Sequence, residues 1–236
     1  LGDVYKRQGL ENLALIPGLV GAAPIQNIGA YGTEVSDFVD EVEAFDRSGE
    51  KLILKGGDCE FGYRTSIFKL KNDFIIGAVT FKLLKTPNPK IDYPDLKNLL
   101  SSLDLTEPSP KEIADTVTQI RTEKLPNPLT HPNLGSFFKN PLVAKDVAVS
   151  LAGQIDGLKV FEVPGGFKLS AAQLLDLDGW KSKPGENVSC WVKQPLVLVN
   201  RGEATASDVL SYAKNIVISI KGRFGVTLEL EPSILS

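Results

Sequence analysis

The chain has few of the residues from which proteins build metal centres and disulfide frameworks. One histidine and two cysteines occur among 236 residues, and His131, Cys59 and Cys190 show no metal-ligand spacing. Two cysteines do not indicate a secreted disulfide scaffold. A single histidine in the loop sequence LTHPNLG also argues against a serine–histidine triad. The composition therefore predicts no metal and a reducing, cytoplasmic setting.

Long apolar runs and an excess of positive charge are missing as well. No apolar run approaches the roughly 18 residues of a membrane span, so we expect no membrane association. The net charge is −3, so no basic field indicates nucleic acid as a partner. Hydrophobic content of 42% and charged content of 23% are ordinary for a globular protein. The length allows one large domain or two small ones with a real core.

Methionine is absent altogether, even at position 1. The opening LGDVYKRQ has neither the apolar region of a signal peptide nor a clear amphipathic pattern. We therefore expect residues 1–8 to be a non-native tail. The alternative is a natural N-terminal segment whose methionine has been removed.

Local patterns in the first half predict a hairpin, a strand and a helix. Apolar residues alternate on both sides of RSGE in VDEVEAFDRSGEKLILK, which is typical of a hairpin. Residues 74–84 are expected to form a buried strand. Ser109 and Glu112 form a capping box that begins a helix, and the prolines of KLPNP end it. We expect the domain boundary at this proline-bounded segment.

The second half predicts three helices and two strands. Short helices are expected over 143–152 and after Ser170, and QPLVLVN is expected to be a buried strand. The clearest helix follows Thr205, which caps it with Asp208 closing the box, and ends at Gly222 or Gly225. VTLELEPSIL is expected to finish the chain as a strand.

The segment IPGLVGAAPIQNIGAYG, residues 16–32, combines four glycines and no charge with the amides Gln26 and Asn27. Glycine lets a backbone approach a flat or anionic ligand, and the amides offer donors and acceptors. A neutral heterocycle suits this pattern, but so does a tight-turned loop whose amides bond only to the backbone. GxGxxG and GxxxxGK[ST] are absent, so neither a dinucleotide fold nor a P-loop is predicted.

Three further stretches carry candidate chemistry. Arg64 stands among aromatic residues in CEFGYRTSIFK and needs an anionic partner, from the protein or from a ligand. Ser136 in GSFFKNP could give a proton or a hydrogen bond to a ligand, or it could cap a turn. Glu229 and Glu231 are two apart, so in a strand they share one face. That face is either solvated or directed into a cleft.

Six stretches together resemble the bacterial UDP-N-acetylenolpyruvoylglucosamine reductase family in order and spacing, from Gly9 to about Leu235. They are GLENLALIPGLVGAAPIQNIGAYG, FGYRTSIFK, RTEKLPNP, GSFFKNP, KLSAAQLLD and KQPLVLVN. The resemblance implies an α+β protein in which a partial vanillyl-alcohol-oxidase-type FAD-binding domain, 9–125, precedes an α+β substrate-binding domain, 126–236. The family has an earlier subdomain whose Gly/Ser-rich loop holds much of the FAD pyrophosphate. Nothing here matches it, so we expect an N-terminally truncated chain.

The resemblance also implies an activity. Such enzymes use NADPH and FAD to reduce UDP-N-acetylenolpyruvoylglucosamine to UDP-N-acetylmuramate for peptidoglycan. The expected partner is then a UDP-sugar nucleotide, with no nucleic acid and no membrane, and the chain is expected to be monomeric and cytoplasmic. Two alternatives stay open, a non-catalytic UDP-sugar-binding remnant and another flavin oxidoreductase of the same fold.

Residue roles follow from the resemblance position by position. Arg64 would hold the enolpyruvyl carboxylate, Ser136 would be the general acid, and Glu231 matches the catalytic glutamate. The flavin ring and ribityl chain would lie along Ile16, Gly18, Gly21, Ala22, Ala23, Gln26, Asn27, Gly29 and Ala30. The substrate would contact Tyr31, Tyr93, Lys124, Asn140 and Gln194, with Tyr93 on a loop that closes over it.

The sequence departs from the family pattern at two places. Trp191 and Val192 stand before KQ, where the family often has a histidine. Pro232 and Ser233 follow Glu231, where the family usually has valine and a basic residue. Either departure could weaken substrate contacts.

Overall fold

The computed structural model describes residues 8–71, 73–86, 88–183 and 185–234. The chain divides into two units, Leu1–Glu123 and Lys124–Ser236. The predicted tail, 1–8, lies outside the described residues except for Gln8. Each unit contains helices and antiparallel strands, so the α+β class is confirmed. Within the described ranges, every helix is too short or too polar to cross a membrane.

The first unit contains a three-stranded antiparallel sheet and a separate short pair of strands. The strands of this unit are β1 (Gly29–Ala30), β2 (Thr33–Glu34), β3 (Val39–Phe45), β4 (Lys51–Lys55) and β5 (Ile75–Phe81). The short pair β1–β2 stands apart, and the sheet has the order β4-β3-β5. The predicted hairpin is confirmed, with Val42 opposite Leu54 and Ala44 opposite Leu52.

The strand predicted over residues 74–84 is confirmed as β5, but it is not buried. Only Ile76, Val79 and Phe81 pack against the core of the sheet, whereas Ile75 is 73% exposed. The prediction of burial was wrong because an apolar run does not reveal that only one face of the sheet is covered.

The α-helices that the structure describes in the first unit are α1 (Ile67–Lys71), α2 (Pro94–Ser102) and α3 (Pro110–Lys124), the last of which ends at the boundary between the units. The capping box of α3 is confirmed by hydrogen bonds in both directions between Ser109 and Glu112. Helix α2 was missed, although proline at its first position and the apolar spacing that buries Leu96 and Leu100 are typical helix signals. Tyr93 therefore stands at the N-cap position of α2, where its side chain makes no capping hydrogen bond, and does not sit in a long loop.

The second unit contains two small antiparallel sheets. Its strands are β6 (Asn133–Ser136), β7 (Leu142–Val143), β8 (Val160–Val163), β9 (Gly166–Leu169), β10 (Val188–Trp191) and β11 (Gln194–Asn200). They form sheets of order β10-β11-β6 and β7-β9-β8. The five central residues of β11 are buried, which confirms the prediction for QPLVLVN.

The helices of this unit are α4 (Lys145–Gln154), α5 (Ala171–Leu177) and α6 (Ala206–Phe224). The capping box between Thr205 and Asp208 is confirmed, and α6 ends at Gly225, whose φ is 70°. Ala213, Ile216 and Ile220 of α6 enter the same core as α5 and β11.

The predicted final strand was wrong. In the described part of this segment only Leu230 makes a bridge, opposite Phe138. The alternating pattern of VTLELE is present, but the segment finds a partner over only a few residues, so no regular ladder develops.

Candidate functional site

The glycine-rich segment presents bare backbone and apolar side chains to solvent. It turns through a short 3₁₀ helix, Val20–Ala22. Leu19 is 84% exposed, and Val20 is also exposed. Gly18 has a φ of 121°, which favours glycine, and a Cβ at that position would meet no atom within 4 Å. Ile16 and Gly21 are partly buried, Ala22 is exposed and Ala23 is buried.

The Asn27 side chain holds the glycine-rich segment together through hydrogen bonds. It is 1% exposed, and its Nδ2 donates to Glu34 Oε2 at 2.8 Å and to the Gly62 carbonyl at 3.1 Å. Its Oδ1 accepts the Ser36 N–H at 3.0 Å. The side chain therefore has its polar groups occupied by the protein, as the tight-turned alternative requires, while Gln26 is only partly buried.

The Arg64 side chain also contacts the glycine-rich segment. Its guanidinium donates to the Gly29 carbonyl at 2.7 Å, and it lies 3.4 Å from Glu34 Oε1. The protein itself thus supplies an anionic partner, which the sequence left open. At 3.4 Å this pair is long for a charge-assisted hydrogen bond.

Glycine at position 29 is explained by packing within the protein and not by the approach of a ligand. A Cβ at this position would stand 2.8 Å from the Arg64 guanidinium and 3.0 Å from Glu34 and from the Thr33 carbonyl. The glycine therefore permits the approach of Arg64, and the neighbouring Ala30 completes β1.

Three of the predicted site residues have left-handed backbone. The φ values are 47° for Asn27, 48° for Tyr31 and 54° for Arg64. This conformation costs roughly 1–2 kcal/mol for a residue with a Cβ. Such strain concentrates where a protein fixes functional groups, and two of these residues are in contact, because the Arg64 guanidinium donates to the Asn27 carbonyl at 3.4 Å.

Tyr31 and Tyr93 meet edge to face, with ring centroids 5.2 Å apart. The buried amide of Asn12 joins their segments, because its Nδ2 donates to the Tyr31 carbonyl at 2.8 Å and to the Lys90 carbonyl at 2.7 Å. Burial raises the pKa of Tyr31 to about 12 despite the nearby Arg121 charge. The phenol is therefore a neutral hydrogen-bond donor at physiological pH.

The second unit brings the backbones of Ser136 and Glu231 close together. The Glu231 N–H donates to the Phe137 carbonyl at 2.9 Å, and the Lys139 N–H donates to the Glu229 carbonyl at 2.9 Å. Glu231 thus lies across from the residue next to Ser136. On the other side, Ser136 is paired with Val197 of β11, the strand that begins at Gln194.

Two other predicted substrate contacts have structural partners. Asn140 Oδ1 accepts the Ala171 N–H at 2.9 Å and so caps the start of α5. The Lys124 carbonyl accepts the Trp191 indole N–H at 3.1 Å, and His131 packs on that indole at 5.0 Å between centroids. Trp191, where the sequence departs from the family pattern, therefore holds the Lys124 segment in place.

Neither thiol is a candidate nucleophile. Burial raises the pKa of Cys59 and of Cys190 to about 11, so both are neutral. Among the residues that the structure describes, no three His, Cys, Asp or Glu side chains are grouped so as to hold a metal ion. A cleft of about 670 Å³ opens beside His131 and Trp191, but Ser136 does not line it.

Sequence reasoning missed Asn12, Glu34 and Arg121. Asn12 and Arg121 lie inside quoted motifs, but their types alone gave no reason to single them out. Glu34 had no local signal, because its importance depends on contacts with Asn27 and Arg64 across seven and thirty residues of sequence.

Comparison with known proteins was made by sequence and by fold. Residues 127–235 match the family described as UDP-N-acetylenolpyruvoylglucosamine reductase, C-terminal domain. The chain is 47% identical over 230 residues to the UDP-N-acetylenolpyruvoylglucosamine reductase of Polynucleobacter asymbioticus. The matched region covers 96% of this chain and 66% of that protein. The enzyme of the same name from Ralstonia nicotianae is 43% identical over 231 residues, covering 96% and 68%.

The fold is similar to that of a solved structure. The crystal structure of UDP-N-acetylenolpyruvylglucosamine reductase from Thermus caldophilus matches with a TM-score of 0.64 at 23% identity, covering 100% of this chain and 67% of that one. The chain spans about two thirds of the length of the curated relatives it matches.

Proposed function

Because the chain belongs to the UDP-N-acetylenolpyruvoylglucosamine reductase family, we propose that it serves the reaction for which the family is named. The reaction is the NADPH-dependent, FAD-mediated reduction of UDP-N-acetylenolpyruvoylglucosamine to UDP-N-acetylmuramate, a cytoplasmic step of peptidoglycan synthesis. The observation that carries the proposal is 47% identity sustained over 96% of the chain. That span includes both the Arg64 region and the Ser136–Glu231 region.

The glycine-rich segment is suited to a flavin. Gly18 leaves open space where a Cβ would stand, and the exposed Leu19 and Val20 offer an uncharged surface beside it. A flat ring can lie against such backbone. Ile16, Gly18, Gly21 and Ala22 would form this surface, and Asn27 would act by fixing the turn. When bound, FAD supplies the transfer of reducing equivalents from NADPH.

Arg64 would bind the carboxylate of the enolpyruvyl group. The guanidinium is oriented by its hydrogen bond to the Gly29 carbonyl at 2.7 Å. Binding would replace the long contact with Glu34 by a bidentate pair. Such a preorganised cation also stabilises negative charge that develops toward the carboxylate during reduction.

Ser136 and Glu231 would take part in the proton-transfer step. Reduction of the enol ether adds a hydride to the terminal carbon and a proton to the neighbouring carbon. Ser136 Oγ would donate that proton as general acid. Glu231, whose N–H donates to the carbonyl of Phe137, the residue after Ser136, would stabilise the charge. A hydroxyl is a weak acid, so this step requires a strongly basic carbanion-like partner.

The proposed function is tested by joining this chain to the third of the Polynucleobacter asymbioticus relative that it does not span. We expect the purified chimera to consume NADPH only when the enolpyruvyl nucleotide is present, and to form UDP-N-acetylmuramate. Turnover with another flavoprotein substrate, or flavin reduction without reduction of this nucleotide, would contradict the proposal. Nucleotide binding without any turnover would favour the non-catalytic alternative.

We expect Lys124→Ala and Tyr93→Phe, each in the chimera, to raise KM for the nucleotide about tenfold or more with a smaller loss in kcat. Lysine suits a diphosphate as a compact charge, and both groups would act away from the reacting carbons. Steady-state kinetics measures the split.

Two matched variants control for the loss of a lysine charge and of a tyrosine hydroxyl. Lys145 is exposed on α4, and the Tyr212 hydroxyl donates a long hydrogen bond to the Cys190 sulfur, at 4.0 Å. Lys145→Ala and Tyr212→Phe should leave KM unchanged. A lower melting temperature with unchanged KM for the Lys124 and Tyr93 variants would mean that both side chains are structural.

A further inference from the structure

A cleft of about 670 Å³ in the second unit has positive charge on its walls. Its basic lining residues are His131, Lys181, Lys183 and Arg201, and none of the described residues that line it is acidic. The chain as a whole has a net charge of −3, so the local charge is opposite in sign to the overall balance. Clefts that bind small organic ligands measure roughly 300–1,000 Å³, so this one, named here the His131 cleft, has room for such a ligand.

The protein neutralises only part of this charge. Lys181 pairs with Asp176 at 3.1 Å, whereas Lys183 and Arg201 make no ion pair with any residue that the structure describes. Lys183 lies over the Trp180 ring, with its Nζ 4.3 Å from the ring centroid. This contact orients a flexible side chain without cancelling its charge, so the cleft attracts an anion.

The His131 cleft also has an aromatic and apolar wall. Trp191 and Val192 line it, and Val192 is 58% exposed. The Trp191 indole is held in place, because its N–H donates to the Lys124 carbonyl at 3.1 Å and the His131 ring packs against it edge to face. His131 is held in turn by a hydrogen bond of 2.9 Å between its Nδ1 and the Thr130 hydroxyl. A fixed aromatic surface of this kind suits a flat ring.

We propose that the His131 cleft binds a small molecule in which a phosphate group is attached to an aromatic ring. The ring would pack on Trp191, and the phosphate would accept hydrogen bonds from Lys183 and Arg201. A phosphate monoester carries nearly two negative charges at neutral pH, so it matches two cations better than a carboxylate does. The proposal goes beyond the proposed function and does not rest on it, because Ser136 does not line the cleft.

Indole fluorescence of the 236-residue chain tests the proposal, because both tryptophans lie at the cleft. Trp191 lines it, and Trp180 carries Lys183. Titration with phenyl phosphate should change the emission saturably. Inorganic phosphate should compete only at about 3- to 10-fold higher concentration, the range expected for the loss of one aromatic contact. Benzyl alcohol, which has the ring without the charge, should not compete, and added salt should weaken binding of phenyl phosphate.

Lys183→Met and Arg201→Met should each weaken binding of phenyl phosphate by about 3- to 5-fold, and together by about 10- to 25-fold, as expected for exposed ion pairs. Lys183→Arg keeps the charge and should bind like the wild type. Two matched controls should also bind like the wild type. They are Lys145→Met, at an exposed position of α4, and Arg47→Met, since Arg47 is 78% exposed and pairs with Asp73.

Several results would overturn the proposal. They are the lack of a saturable change with phenyl phosphate, unchanged affinity in the double variant, equal binding of inorganic phosphate and phenyl phosphate, and competition by benzyl alcohol. Equal losses in Lys183→Arg and Lys183→Met would show that the substitution disturbs packing on Trp180, which also contradicts it. Weakening by Lys124→Ala with no effect of the cleft variants would place the phosphate in the proposed substrate site, which overturns the cleft while the proposed function stands.

Discussion

Ser136→Ala should slow reduction of the enolpyruvyl nucleotide by roughly 10²- to 10⁴-fold, the usual loss when a general acid is removed. The expected loss is confined to the second half-reaction, because only that step requires the proton. Reduction of the flavin by NADPH should stay within about twofold of the unaltered chimera. Stopped-flow measurement of each half-reaction in the chimera resolves the two steps.

The matched control is Ser150→Ala. Ser150 is exposed on α4, and its hydroxyl accepts a hydrogen bond from Gln154 in the same helix, so neither half-reaction should change. Equal losses in both half-reactions for Ser136→Ala would show that the serine shapes the site without donating a proton. A loss of less than about tenfold would remove Ser136 from the catalytic set.

Asn27→Ala should lower the free energy of unfolding of the first unit by about 2–4 kcal/mol. The substitution removes two donated hydrogen bonds and one accepted one. It takes away the acceptor of the Ser36 N–H, whereas the Gly62 carbonyl keeps its hydrogen bond from the Thr65 N–H at 3.2 Å. Alanine also tolerates the 47° φ of this position less well than asparagine does. The loss should reach Arg64 too, because Asn27 orients Glu34.

The measurement must report on the first unit. Both tryptophans, Trp180 and Trp191, belong to the second unit, so indole fluorescence would miss the change, and hydrogen exchange across the glycine-rich segment is the suitable probe. Asn98→Ala is the control, since Asn98 is exposed on α2 of the same unit, and the substitution should change the free energy of unfolding by less than about 1 kcal/mol. Equal effects for the two variants would show that Asn27 is not the central support of the segment.

Short stretches of sequence were sufficient to determine two helix starts and the hairpin turn. The capping boxes at Ser109 and Thr205, and the RSGE turn, depend on residues within a few positions of one another. Their hydrogen bonds form in almost any surroundings, so the pattern is sufficient to predict them. Family motifs likewise indicated the Arg64, Ser136 and Glu231 segments before any contact was known.

Tertiary structure decided what those segments do. The sequence could not choose between ligand and backbone for the Asn27 amide, because its partners Glu34 and Gly62 lie seven and thirty-five residues away. The pairing of the Ser136 segment with the Glu231 segment joins positions more than ninety residues apart in sequence. Among the described residues the Arg121 Nε has no hydrogen-bond partner, which is visible only once α3 is packed. Such contacts depend on which surfaces the whole core brings together, and on how much water it excludes, so no short stretch of sequence encodes them.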